Sequence, residues 1–424
     1  MKYTEMNQEQ LQRELQELQE EYAEIQTQKL KLDMSRGKPE ASQADLSLEM
    51  LQGFSNREDL FSEEGLDCAN YGVLDGLPEA KRFVADVMDC DPKQVSIWEN
   101  SSLMIMYSLI SMGYIKGVLG EEPWCRQEGL KFLCPVPGYD RHFAITEHFG
   151  FEMISIPMNE NGPDMDLVEQ YVRDPAVKGI WCVPLYSNPG GVCYSDETVR
   201  RMASLKPAAP DFRIYWDNAY CVHHLYPDHP AVLLDILKEC RKNGNENMVY
   251  ELFSTSKITI AGAGMAALIT SEENLADIRK QASVMTVGFE KLNQLRHVRF
   301  LKDKKTLEAH MAKHAAILRP KFEAVLDTLE KELGGLGIAC WTKPRGGYFI
   351  SLDTLEGCAR RVVELCREAG VVLTPAGSTY PYKRDPKDTN IRIAPTYPSP
   401  ENLMKACRVL TVCVRLASVE KLLK

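Results

Sequence analysis

A chain of 424 residues can bury more than one core, so two domains are the first expectation. Its 44% apolar and 26% charged residues are those of an ordinary globular protein, and its net charge of −10 argues against nucleic acid as a partner, since phosphate backbones need basic surface. Thirteen cysteines without a C-x-x-C pair read as free thiols, Met1 to Leu32 carries no signal peptide, and no apolar run could span a bilayer, so a cytoplasmic protein without a membrane partner is expected.

The first element is an amphipathic helix. Leu11, Leu15, Leu18, Tyr22 and Ile25 are spaced 4, 3, 4 and 3, with Gln, Glu and Arg between them. Two heptads are too few for a free coiled coil, so this seam is expected on the protein body or on a second subunit. The loop Met34-Ser35-Arg36-Gly37-Lys38-Pro39 follows. Tyr71 to Arg82 forms a turn leading into a helix over 78–89. Asn100-Ser101-Ser102 precedes a buried helix beginning at Leu103, and small polar residues at a helix start leave N–H groups free for an anion.

From residue 130 strands and helices alternate. Strands are expected at Leu130–Cys134, Met153–Pro157, Gly179–Pro184, Arg213–Asp217, Met248–Phe253 and Met265–Thr270. Helices are expected at Ala144–Phe149, at Leu167–Val172 and after Ser195. Continuous apolar strands between helices imply a doubly covered, mostly parallel sheet. Residues 304–333 read as one long helix connecting two domains, with Leu307, Met311, Ala315, Leu318, Phe322, Val325 and Leu329 on one face. Short strands at 346–352 and 391–394, around a helix at 358–369, suggest a smaller α+β unit. His310 and His314 stand one turn apart but lack a third ligand, so they are expected in solvent, with no metal.

In an open α/β sheet, ligands sit outside the carboxyl ends of the strands. Tyr139, Asn188, Asp217 and Lys257 each follow a strand end, so they should converge on one edge. A desolvated lysine can form a Schiff base with an aldehyde cofactor, and a carboxylate can keep a pyridine nitrogen protonated. Asn188 and Tyr220 could bond a phenolic oxygen, and Tyr139 could stack on a ring. Ser101, Ser102 and Ser254 could take a phosphate, and Arg392 could fork a substrate carboxylate.

With these residues in view, the chain resembles the class I aminotransferases of pyridoxal-phosphate fold type I. The resemblance rests on Tyr71–Arg82, Ser187–Gly191, Asp217–Tyr220, Ser254–Lys257 and Asn390–Ile393. Within that family it is similar to the type Ic, or MocR-like, aspartate aminotransferases, through Ser35–Pro39, Pro137–His142, Ala209–Arg213 and Lys291–His297. The resemblance implies an α/β fold with a large, mostly parallel seven-stranded domain and a smaller α+β domain built from both chain ends. The divisions expected are an N-terminal arm at 1–55, a cofactor domain at 56–305 and the remainder of the small domain at 306–424.

It further implies pyridoxal 5′-phosphate as cofactor. Lys257 carries the Schiff base and moves the proton, Asp217 pairs with the pyridine nitrogen, and Asn188 and Tyr220 bond the phenolic oxygen. Tyr139 stacks on the ring, while Ser101, Ser102 and Ser254 bind the phosphate. Tyr71 reaches the site of a second subunit in a homodimer with shared active sites. Arg392, with Asn188 and Gly37 close by, holds the α-carboxylate of an amino acid or 2-oxo acid, and Arg36 and Lys38 are candidates for a distal carboxylate.

Two departures stand out. Met265 occupies the position where many members carry a phosphate-binding arginine, leaving Lys291 and Arg296 as the nearest cations by motif, from this chain or a partner. Gly190 replaces the usual Thr or Ser after Asn188. The activity implied is transamination from aspartate or glutamate to an acceptor such as 2-oxoglutarate. The same lysine and aspartate would serve a β-lyase or a decarboxylase. A non-catalytic sensor like the MocR regulators would carry a basic winged helix, whereas the residues ahead of Ser35 here are acidic.

Overall fold

The computed structural model describes residues 1–424. Asn7 opens α1 (Gln8–Thr27) through a reciprocal cap: its side chain accepts from Gln10 N, and the Gln10 side chain accepts from Asn7 N. The chain continues through β1 (Leu32–Asp33), α2 (Ala41–Asp45), α3 (Pro78–Met88), β2 (Val95–Trp98) and α4 (Ser102–Lys116). Alternation then sets in with β3 (Lys131–Val136), α5 (Asp140–His148), β4 (Glu152–Asn159), β5 (Gly162–Pro163), α6 (Met165–Tyr171), β6 (Val177–Cys182), α7 (Asp196–Ala203), β7 (Arg213–Asp217), α8 (Ile236–Lys242), β8 (Val249–Ser254) and β9 (Ala266–Ile269). Three helices follow: α9 (Glu272–Met285), α10 (Lys291–Leu301) and α11 (Lys304–Leu333). The chain ends with β10 (Ala339–Trp341), β11 (Ile350–Thr354), α12 (Ala359–Glu368), β12 (Val371–Val372), β13 (Asn390–Ile393) and α13 (Pro400–Leu422).

The central sheet has the order β2-β9-β8-β7-β6-β3-β4-β5. The pairs β8·β7, β7·β6, β6·β3 and β3·β4 are parallel, while β9 runs antiparallel to both of its neighbours. The sheet therefore holds eight strands rather than seven, because the two-residue β5 turns back onto β4. Strands β6, β7 and β8 are buried along their whole length, as expected of a sheet covered on both faces. Separate apolar clusters lie on the two faces, one around Phe83, Val199, Trp216 and Leu295, the other around Ile105, Phe132, Trp181 and Tyr250.

A third core belongs to both chain ends. Leu11, Leu18, Tyr22 and Ile25 of α1 pack with Leu403, Leu410, Val414 and Val419 of α13, around the antiparallel sheet β10-β11-β13. The N-terminal seam thus lies on the protein's own body. The pair β1·β12 is parallel and fastens the arm to the same unit. The second small strand begins at Ile350 rather than Gly346: Gly347 takes a left-handed φ of +79°, and a side chain at Gly346 would collide with the Tyr186 ring.

Candidate active site

The parallel strands place four side chains in a row. In spatial order β8, β7, β6 and β3 lead to Lys257, Asp217, Asn188 and Tyr139, Asp217 as the last residue of its strand and the others within six residues of theirs. All four line one cavity of about 800 Å³, together with Ser101, Ser102, Tyr220, Ser254, Ser256 and Arg392. The loop Arg36-Gly37-Lys38 closes it from the side of the chain end. Although the chain is net negative, this lining holds Arg36, Lys38, Arg141, Lys257, Lys383 and Arg392 against only Asp140, Glu147 and Asp217. The excess of cations suits an anionic ligand.

Asp217 is buried, and its two oxygens differ. His142 Nε2 lies 3.2 Å from Oδ2, and the His142 ring stacks on Trp181 at 4.6 Å, which fixes its plane. Oδ1 is sealed from solvent and has no partner. A buried, unpaired carboxylate oxygen is costly, and such an atom at a strand end marks a ligand position. The Lys257 amine lies 5.1 Å from the ring centre of Tyr220 and 5.9 Å from that of Tyr348. Burial lowers its pKa, with the Asp217 charge working the other way. Burial likewise pushes the Tyr139 phenol up to about 12, so it remains a neutral hydroxyl.

The hydroxyl cluster forms where three loops meet. Ser254 Oγ and Ser256 Oγ are 2.8 Å apart, and Ser256 Oγ donates to the Asn100 carbonyl at 2.7 Å. Gly264 passes so close that a Cβ there would lie 2.5 Å from Asn100 O. Ser101 occupies the N-cap position of the fifteen-residue α4 without a side-chain cap bond, so the first N–H groups of that helix stay available to a ligand. Met265 is buried, and its backbone N donates to Thr255 Oγ1. Neither Lys291 nor Arg296 lines the cavity. Lys291 Nζ donates to the Gly72 carbonyl at 3.0 Å and so holds the loop of Tyr71, while Arg296 bonds Asn293 and Glu290. Tyr71 is 86% exposed and absent from its own chain's cavity.

The opposite wall is built around Arg392 on β13. Its Nη1 donates to Asp140 Oδ1 at 2.7 Å and to Asn188 Oδ1 at 3.3 Å, and its Nη2 to Thr374 Oγ1 at 3.4 Å. Phe349 lies under the guanidinium at 4.9 Å. Gly37 presses on the same ring, and a Cβ there would sit 2.4 Å from it. Lys38 leans over Tyr397, and Arg36 is exposed.

Several participants carry no role in the sequence reading. Asp140 and His142 stand two apart at the start of the helix after β3, within a motif noted only for its resemblance. Their position just past a strand end was the available signal. Phe349, Thr374 and Tyr348 gave none, because contacts with residues hundreds of positions away bring them to the site. One expectation is overturned. His310 and His314 are not in solvent but 5% and 1% exposed, in a hydrogen-bonded chain. His310 Nε2 lies 2.8 Å from the Ile258 carbonyl and 3.1 Å from His314 Nε2, and the Gln43 amide lies 3.0 Å from both His314 Nδ1 and the Tyr348 hydroxyl. Helix α2 of the N-terminal arm covers them, which a local reading of α11 could not foresee. Burial lowers the pKa of both. No group of three or more His, Cys, Asp or Glu is arranged to hold a metal, and no helix is long and apolar enough to cross a membrane.

The family model for aspartate aminotransferase matches residues 6–424. The chain belongs to the aspartate aminotransferase family. An aspartate aminotransferase of Corynebacterium glutamicum is 46% identical over 405 residues, covering 95% of this chain and 93% of the relative. The crystal structure of an aspartate transaminase from the same organism superposes with a TM-score of 0.97 at 44% identity, covering 100% of this chain and 99% of that one. The α-aminoadipate aminotransferase of Thermus thermophilus, at 19% identity and a TM-score of 0.74 over 92% of this chain, shows the shared fold. As a member of the aspartate aminotransferase family, the protein has the fold type I architecture expected of pyridoxal-phosphate transaminases.

Proposed function

We propose that this transaminase moves the amino group of aspartate or glutamate to a 2-oxo acid such as 2-oxoglutarate, with pyridoxal 5′-phosphate as its cofactor. One observation carries the reading: a partly buried amine (Lys257) with a lowered pKa, an unpartnered buried carboxylate oxygen (Asp217 Oδ1) and an arginine fork (Arg392) line a single cavity. These residues fit the cofactor. Asp217 would hold its pyridine nitrogen, Asn188 and Tyr220 its phenolic oxygen, Tyr139 its ring, and Ser101, Ser102 and Ser254 its phosphate. When bound, the cofactor supplies an electron sink for charge released at the substrate α-carbon.

The chain's own residues supply the rest. Lys257 Nζ, its proton affinity reduced by burial, is the base that takes the α-proton. Arg392 binds the α-carboxylate in a planar fork, and Gly37 lets the covering loop approach closely. Arg36 and Lys38 are proposed to attract a distal carboxylate, a reading supported by the surplus of cations and by the name of the Corynebacterium relative. We also propose a homodimer in the cytoplasm in which Tyr71 completes the neighbour's site, and its 86% exposure leaves it free for that role. The proposed domain divisions are 1–55, 56–305 and 306–424.

The test offers aspartate, alanine, leucine and tyrosine with 2-oxoglutarate, and glutamate with oxaloacetate, all at equal concentration, and measures the new amino acid or the new oxo acid. Aspartate should lead. An aliphatic or aromatic donor in first place would refute the dicarboxylate assignment, and release of ammonia and pyruvate would replace transamination with elimination.

A further inference from the structure

The arginine proposed for the substrate already grips a carboxylate. The Arg392–Asp140 contact is 2.7 Å, between side chains that are 7% and 34% exposed. The Nε of Arg392 is sealed from solvent and has no partner, so an incoming carboxylate can reach the guanidinium only through its Nη atoms. Of these, Nη1 is taken by Asp140 and Asn188, and Nη2 makes only the long contact to Thr374. A bidentate carboxylate needs both Nη groups. It cannot bind in that way while Asp140 keeps its place.

Asp140 has somewhere else to go. It is the first residue of α5, a nine-residue helix whose free N–H groups and dipole favour a negative charge at that end. A third of its side chain already meets solvent. The pair also joins the two units of the fold, since Asp140 follows β3 of the central sheet and Arg392 lies on β13 of the small one.

We propose that Asp140 is an internal competitor for the Arg392 fork. Its carboxylate closes the fork in the free enzyme, and a substrate carboxylate enters by exchange with it. Exchange swaps one carboxylate for another, so the fork alone yields little net binding. A simple monocarboxylate anion is therefore rejected, and a ligand enters only if it brings further contacts, such as a second carboxylate or a bound amine. Asp140 on this account sets the affinity that any carboxylate must exceed to occupy the fork. The inference rests on the reading of Arg392 as the α-carboxylate site.

The experiment titrates the holoenzyme with acetate and with succinate by calorimetry and measures KM for aspartate, in wild type, Asp140→Asn, Arg392→Ala and the double variant. Asp140→Asn should bind acetate and succinate each about tenfold more tightly and lower KM for aspartate. In the Arg392→Ala background that gain should vanish. If Asp140→Asn binds both anions no better than wild type, or more weakly, the competitor role is overturned and Asp140 merely orients Arg392. If Arg392→Ala alone leaves succinate binding intact, the α-carboxylate assignment falls instead, a result distinct from the first. Asp140→Ser, which keeps a helix-starting side chain, carries the same expectations should the Asn variant fail to fold.

Discussion

The two halves of the active site are built on different principles. The half around Lys257 and Asp217 rests on adjacent strands of one sheet, each strand end held in register by its neighbours. Asp217 Oδ2 and the Ser254–Ser256 pair have partners within the chain, while Asp217 Oδ1 is sealed without one. The half around Arg392 is assembled from segments hundreds of residues apart, as when Thr374 Oγ1 donates to the Ser35 carbonyl across 339 positions. Its cations Arg36, Arg141 and Lys383 are exposed. The chemistry sits where the backbone is fixed by the sheet, and selectivity sits where distant segments meet.

If that division holds, substitutions in the sheet half should abolish the reaction, and those in the other half should retune it. Lys257→Ala should retain its fold and lose transamination by roughly three orders of magnitude or more, followed as oxo-acid production. Full activity there would erase the distinction. Arg392→Ala should lower kcat/KM by about 10- to 100-fold, since it removes the donors for the α-carboxylate and leaves the Asp140 charge unpaired beside it. Arg392→Lys should not rescue it, because an ammonium lacks the planar pair of donors. His142→Leu removes the only hydrogen bond made by the Asp217 side chain and should speed cofactor loss about tenfold, with His142→Gln closer to wild type. Equal dissociation rates in all three proteins would make His142 a packing residue.

The last prediction leaves activity aside and concerns the sheet beneath Asp217. Glu251, paired in register with Trp216, has its pKa raised to about 8 by burial and then by Asp235. The folded state therefore keeps a proton that the unfolded chain releases near its ordinary value. Stability is unaffected below that value, falls by about 1.4 kcal/mol per pH unit as pH rises toward 8, and levels off above it. Glu251→Gln should remove this slope, so its stability relative to wild type should grow between pH 5 and pH 8 in denaturant titrations. A constant difference would mean that Glu251 is ionised in the fold.

The same division explains what could be read from the sequence. Strand ends carry their own marks, and Tyr139, Asn188, Asp217 and Lys257 were visible because a parallel sheet obliges residues past its strand ends to converge. β7 matches its expected span from Arg213 to Asp217. β2 went unread because four residues between Pro92–Gln94 and Asn100 are too few to show a period. α13 went unread for the opposite reason: Val409 to Val414 are all buried, so no single apolar stripe exists. Asp140 against Arg392, and Gln43 against His314, are pairings across 252 and 271 positions that no local pattern encodes.

The shared core of α1 and α13 has a consequence for the order of synthesis. The central sheet has all its strands once Ile269 has emerged, so Lys257 and Asp217 can find their places early. Helix α1 leaves the ribosome before the sheet, yet its main partner is α13, where Arg415 meets Glu14 across 401 positions. At about 5–20 residues per second, α13 follows β9 after an interval on the order of ten seconds. Throughout that interval the apolar seam of α1 lacks its main partner, and an element made before the sheet is buried after it.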